Sequence, residues 1–207
     1  MSSSFFATIS RMKYIERWAL MRNSRPENLS EHCLEVGMIA HALCVIGRVR
    51  YGKELNAEKA ALIGIYHDAS EIITGDMPTP VKYYNSTIRS AYKDVEAKAE
   101  QQLIEKLPDD LQDVYRQLFG HVSDENLTPE EAENEAYMRR LVKAADKISA
   151  LIKCIEEENS GNREFSTAKI STLEAVEKMK EEMPEVADFV EEFLPDYGST
   201  LDELLNG

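Results

Sequence analysis

The run Ala61-Leu62-Ile63-Gly64-Ile65-Tyr66-His67-Asp68-Ala69-Ser70-Glu71 sets the reading of this chain. Apolar residues give way to an adjacent imidazole and carboxylate, His67-Asp68. An apolar helix seldom places the two side by side unless something holds them, and a metal ion is the obvious candidate. Asn56 can cap the helix that carries the pair, predicted over 57–73 and stopped by Thr74-Gly75-Asp76. The pair alone is weak evidence, and it gains weight only if the chain supplies further ligands.

Outward from that run the periodicity is helical. Phe6, Ile9, Met12, Tyr14, Ile15, Trp18 and Leu20 predict a helix over 5–21. Asn28 or Ser30 caps a second, running to about 46, with Asn28 and Glu31 resembling a capping box and Gly47 and Gly52 marking its end. Thr79-Pro80 reads as a cap followed by a first-turn proline, opening a helix over 81–106. Pro108 opens a shorter one. Residues 123–135 are acidic and loop-like. A long helix over 135–158 is closed by Asn159-Ser160-Gly161-Asn162, and 166–193 is helical, interrupted at Pro184. No segment alternates as a half-buried strand does, so strands are not predicted. The expected fold is all-α: a single compact multi-helix domain spanning 1–207. A chain of this length buries roughly 70% of its unfolded surface.

The three cysteines, Cys33, Cys44 and Cys154, are far apart and form no C-x-x-C. They fit core positions in a reducing cytosol better than a disulfide framework. There is no long apolar leader, and no run approaches the ~18 residues of a membrane span. The expectation is a soluble, cytoplasmic protein. A formal net charge of −14 disfavours nucleic-acid polymers and anionic membranes as partners. Arg11, Lys13, Arg17, Arg22 and Arg25 nevertheless gather near the N-terminus. Singly each reads as surface charge; together they suit a small anion.

Four histidines are available as further ligands. His32 and His41 lie nine residues apart on one helix, and nine steps of about 100° turn them to opposite faces. His32 is the better ligand, His41 reads as structural or superficial, and His121 suits a helix end. Asp146, in Leu141-Val142-Lys143-Ala144-Ala145-Asp146, has small neighbours that let another helix approach; alone, it could simply bond a neighbouring cap. His32, His67, Asp68 and Asp146 form a set of two imidazoles and two carboxylates. Such a set suits one divalent transition metal, such as Co, Mn, Fe, Ni or Zn, better than Ca or Mg. Glu71, three residues past Asp68, stands where a residue would orient or deprotonate a water.

The pattern H…HD…D resembles that of the HD-domain metal phosphohydrolases. Glu16-Arg17-Trp18-Ala19-Leu20-Met21-Arg22, Glu27-Asn28-Leu29-Ser30-Glu31-His32 and Tyr66-His67-Asp68-Ala69-Ser70-Glu71 are similar to segments of the bacterial HD-domain 5′-deoxynucleotidases. So is Thr74-Gly75-Asp76-Met77-Pro78-Thr79-Pro80-Val81-Lys82. The resemblance extends from about Phe5 to the acidic C-terminal helix, with a longer acidic stretch near 124–134 as the main departure. It implies an all-helical homodimer that hydrolyses deoxyribonucleoside 5′-monophosphates. His32, His67, Asp68 and Asp146 would hold the metal, Glu71 would assist the attacking water, and Arg17 would orient the phosphate. Trp18 would pack on the sugar, where its bulk beside C2′ would exclude a ribose hydroxyl. Asp76, Met77, Pro78 and Thr79 would line the nucleoside end, Asp68 and Asp146 would also bind the substrate, and Asp76 could accept from a sugar hydroxyl. Two alternatives stay open: another HD phosphohydrolase acting on triphosphates or cyclic nucleotides, and a nucleotide-binding module without turnover.

Overall fold

The computed structural model describes residues 2–82, 84–120 and 127–206, apart from the side chains of Thr79 and Pro80. His121 and the first residues of the acidic stretch, Asp124, Glu125 and Asn126, lie outside them. The chain groups into two compact units: Met1–Leu20, Pro26–Leu34 and Ile65–Ser123 form the first, and Met21–Arg25, Glu35–Gly64 and Asp124–Gly207 the second.

In the first unit, α1 (Phe5–Ile9) passes into a 3-10 turn over Ser10–Tyr14. The helix expected over 5–21 stops here. Ile15 is extended, and its carbonyl accepts from the Leu29 N–H at 2.9 Å instead of continuing a helical ladder. The chain then forms a two-residue strand, β1 (Glu16–Arg17), antiparallel to β2 (Glu27–Asn28), with Glu16 opposite Asn28 and Arg17 opposite Glu27. This corrects the expectation of no strands, since a ladder this short has no alternation to read.

Asn28 then caps α2 (Leu29–Tyr51). Its side chain accepts from the N–H groups of Ser30 and Glu31 at 3.0 and 3.1 Å, and the Glu31 carboxylate accepts from the Asn28 N–H at 3.2 Å. This is the reciprocal box expected from the sequence. Gly47 does not end α2. A β-carbon there would come within 2.7 Å of Leu55 and 2.8 Å of Glu185, so the glycine permits close packing; the helix stops at Gly52, where φ is +64°. Contrary to the sequence expectation, α2 is long and apolar enough to span a membrane by composition, with a mean hydropathy of 1.4 over its best window. That window is 56% buried within the protein, which accounts for its apolarity as core packing.

The next helix, α3 (Ala57–Tyr66), approaches α2 closely: a β-carbon on Gly64 would lie 2.8 Å from the Gly37 backbone. The helix predicted over 57–73 breaks at the His67-Asp68 pair itself. The Ala69 N–H bonds the Tyr66 carbonyl at 3.0 Å and the Glu71 N–H bonds the Asp68 carbonyl at 2.9 Å, tight i→i+3 turns that separate α3 from α4 (Glu71–Thr74). The helix predicted over 81–106 is likewise two pieces. A short α5 (Thr79–Lys82) precedes α6 (Ser86–Ile104), which restarts because the Asn85 side chain accepts from the Ile88 N–H at 2.8 Å. After Pro108 comes α7 (Asp109–Leu118). Phe5, Met12, Leu29, Cys33, Ala69, Leu103 and Leu107 form the core of this unit.

The second unit is built on α8 (Pro129–Asn159), which starts earlier than expected. Thr128 and Glu131 form a capping box with Pro129 in the first turn, so part of the acidic stretch read as loop is a helix start whose carboxylates suit the positive end of the dipole. Packed on α8 is α9 (Ser166–Glu182), followed by α10 (Pro184–Glu192), which opens on the interrupting proline, and α11 (Leu201–Asn206).

Glu157 ties the segment 21–25 to α8. Its buried carboxylate accepts from Lys153, from the Ser24 N–H at 2.8 Å and from Asn162 Nδ2 at 2.6 Å, while Lys153 also donates to the Arg25 carbonyl at 2.6 Å. Burial raises the carboxyl pKa, but the hydrogen bonds from Lys153, Ser24 and Asn162 outweigh it and hold the group at about 2. A depressed folded-state pKa gives stability that is present above the ordinary value of 4.5 and lost as pH falls toward about 2. Glu157→Gln is therefore expected to lose about 3 kcal/mol at pH 7, with the difference from wild type narrowing as the pH falls below 4.5. Urea unfolding of both proteins at pH 7 and pH 3 measures this. Equal stability at pH 7 would show that the network contributes nothing.

Candidate active site

Two segments of the first unit converge on one cluster. His32, fully buried, stands in the first turn of α2. His67 and Asp68 occupy the turn after α3, the break that turns both side chains to one place. One donor atom from each of the three lies within 4.8 Å of the others. Asp68 Oδ2 is 3.1 Å from His67 Nε2 and 3.7 Å from His32 Nε2, and the two imidazole centroids are 5.2 Å apart. Donors each ~2.0–2.1 Å from one ion, at a tetrahedral angle, lie about 3.3 Å from one another. The spacing and the N/O donor set thus fit a first-row transition metal.

The charge environment points the same way. Burial lowers the His67 pKa, but the charge and hydrogen bond of Asp68 reverse this and leave it well above its ordinary value. Glu71, at the start of α4, is buried, and its Oε2 has no hydrogen-bond partner among the described residues. Burial first, then the charges of Asp68 and Asp76, push its pKa up to about 9, with Lys82 and Arg17 acting in the opposite sense. A buried carboxyl beside two others suits the neighbourhood of a cation.

Arg17 sits opposite Glu27 on the two-strand ladder and pairs with it at 2.6 Å. Its guanidinium also lies 5.9 Å from the Trp18 ring. Trp18 follows in the left-handed region at φ +56°, and its amide donates to Asp76 Oδ2 at 3.2 Å. A bulky non-glycine residue at positive φ is strained, and this bond to a side chain 58 residues away supports it. Asp76 therefore has a local task that the sequence did not reveal. Met77 and Pro78 lie half-buried between α4 and α5. Thr79 begins α5, and the capping role expected of its side chain lies outside the described residues. Lys82 is half-buried and paired with Glu96 at 2.6 Å.

These features match known proteins along almost the whole chain. A family model described as 5′-deoxynucleotidase YfbR-like matches residues 4–197. The chain belongs to the YfbR-like 5′-deoxynucleotidase family. The 5′-deoxynucleotidase YfbR of Salmonella paratyphi B is 46% identical over 202 residues, covering 98% of this chain and 96% of that protein. The fold is similar to that of an HD-domain phosphohydrolase from Listeria innocua (TM-score 0.76, 25% identity, 96% of this chain and 90% of that one). A Pyrococcus horikoshii protein, 23% identical with a TM-score of 0.62 over 94% of this chain and 97% of its own, shares the fold.

Within this YfbR-like chain the predicted residues divide in two. His32, His67, Asp68, Glu71, Arg17, Trp18 and Asp76 all belong to the first unit. Asp146 belongs to the second, half-buried on α8 with Lys147 Nζ 3.1 Å from its Oδ2. His41 is exposed where His32 is buried, as their helical phases require. One contact was not anticipated. Cys33, read from the sequence as a core residue, places its sulfur 3.8 Å from His67 Nδ1. No local signal pointed to it, since the residue after His32 on a helix points away from it by about 100°.

Proposed function

We propose that this YfbR-like enzyme hydrolyses deoxyribonucleoside 5′-monophosphates with one divalent transition metal, Co or Mn being the ions to try first. The observation that carries the reading is the cluster of His32, His67 and Asp68 donors beside the buried carboxyl of Glu71. Asp146 enters as the fourth ligand on the H…HD…D sequence pattern, not on a distance. The ion, when bound, supplies Lewis acidity, acidifying water and taking up charge on phosphate oxygen.

The chain's own residues supply the rest. Glu71 accepts a proton from the water whose oxygen bonds phosphorus as the bond from phosphorus to the 5′ oxygen breaks, and that proton passes on to the leaving oxygen, which departs as the alcohol. Arg17 offers a planar fork to phosphate, with Glu27 fixing its orientation. Trp18, held by Asp76, blocks space beside C2′, and Asp76, Met77, Pro78 and Thr79 line the nucleoside end. The family match over 4–197 runs through both units and supports the single-domain reading of 1–207. A cytoplasmic location is supported by three buried cysteines that form no disulfide among the described residues. A homodimer is supported by Leu34, Met38 and Val49, exposed along one side of α2. Sedimentation velocity tests it.

The function is tested by phosphate release from deoxy- and ribonucleoside 5′- and 3′-monophosphates, with Co or Mn and after chelation. Release is expected from the 5′-deoxynucleotides and is lost on chelation. In Trp18→Ala the rate on ribonucleotides relative to deoxynucleotides should rise about tenfold, a change of ~1.4 kcal/mol in discrimination. A wild-type preference for 3′-phosphates or ribonucleotides overturns the assignment. Tight dAMP binding without release supports a regulatory module instead.

A further inference from the structure

We infer that Cys33 is a positioning residue for metal loading: its sulfur fixes the orientation and tautomer of His67. The inference rests on the metal reading proposed above and deepens it. Cys33 is 2% exposed and follows His32 directly, so its backbone is continuous with one member of the cluster. Its Sγ lies 3.8 Å from His67 Nδ1 and also receives the backbone N–H of Asp68. One small side chain therefore touches both members of the His-Asp pair.

A neutral imidazole carries one proton and one lone pair. His67 Nε2 is the nitrogen that faces Asp68 Oδ2, at 3.1 Å. For Nε2 to offer its lone pair to a cation, the proton must sit on Nδ1, where it needs an acceptor. The Cys33 sulfur occupies that place, a weak acceptor in a dry setting. Metal-ligating histidines ordinarily give this second N–H to a carboxylate, carbonyl or water, and loss of such a partner lowers metal affinity 10–100-fold. The competing view makes Cys33 a small filler of the core it shares with Phe5, Leu29 and Ala69. The two views differ over serine, which keeps an acceptor on Cβ but packs less well than sulfur in an apolar core.

The test measures the Co dissociation constant of wild type, Cys33→Ser and Cys33→Ala from visible d–d absorption, alongside metal-free melting curves. Ala is expected to weaken Co binding 10–100-fold, and Ser to stay within about threefold of wild type although both variants melt lower. Ala within about threefold of wild type, or Ser weakened as much as Ala, overturns the inference and leaves the metal reading standing. Failure of the wild-type protein to bind Co overturns both. A second measurement needs no variant: the 15N–1H spectrum of the Zn-loaded wild-type protein. A proton on His67 Nε2 overturns the inference.

Discussion

Asp68→Asn is expected to abolish metal-dependent phosphate release, lowering kcat/KM by at least about 10³-fold, or ~4 kcal/mol of transition-state stabilisation. Asp68 is the central member of the cluster, with its Oδ2 within 3.1 Å of one imidazole and 3.7 Å of the other. Asparagine keeps the shape but removes the negative charge and halves the acceptor oxygens. Two imidazoles remain from the cluster, too few for a tight site on their own. The loss should not come from unfolding. Asp68 raises the pKa of Glu71 and also that of His67, so removing its charge relieves an unfavourable interaction with one and loses a favourable interaction with the other. The metal-free variant should thus melt near the wild-type temperature. Added Co or Mn should raise the wild-type melting temperature by linkage and leave the variant unmoved. An Asp68→Asn protein that keeps its activity within tenfold, with the same metal-induced shift, would remove Asp68 from the site.

The contrast between Asp68 and Ile15 shows what the sequence could carry. The His67-Asp68 pair was legible because its chemistry conflicts with the apolar run before it. The turn that holds it was not, because Ala69, Ser70 and Glu71 are all compatible with a helix and the break is made by i→i+3 bonds. Ile15 to Leu20 keeps helical spacing by coincidence. The spacing conceals a left-handed Trp18 that depends on Asp76, and no local pattern encodes a bond across 58 residues. At α8 the acidity conceals order instead: Thr128-Pro129-Glu130-Glu131 is a helix start, where carboxylates suit the positive end of the dipole. Helical phase separated buried His32 from exposed His41 without help. Adjacency hid Cys33, since the residue after a ligand on a helix points away by about 100°, and its contact with His67 is made by another segment.

Glu71→Gln should lower kcat by about 10²–10⁴-fold, the usual worth of a positioned general base, while leaving Co affinity within about tenfold of wild type. The two effects separate because Glu71 is not among the three residues whose donor atoms cluster, yet its N–H bonds the Asp68 carbonyl at 2.9 Å and fixes the start of α4 beside them. Glutamine matches glutamate in length and volume, so it keeps the packing of this buried position. It cannot accept a proton from water. KM for dAMP should change little, because the proposed phosphate and sugar contacts belong to Arg17, Trp18 and Asp76. Glu71→Asp provides the control: the carboxylate returns, retracted by one methylene, and a base that must reach one water should recover only part of the loss. Stopped assays of kcat and KM with Co saturating, paired with Co titrations, check each part. If Glu71→Gln weakened Co binding as strongly as Asp68→Asn, Glu71 would be a ligand; if it left kcat within about threefold, the base would have to be sought elsewhere.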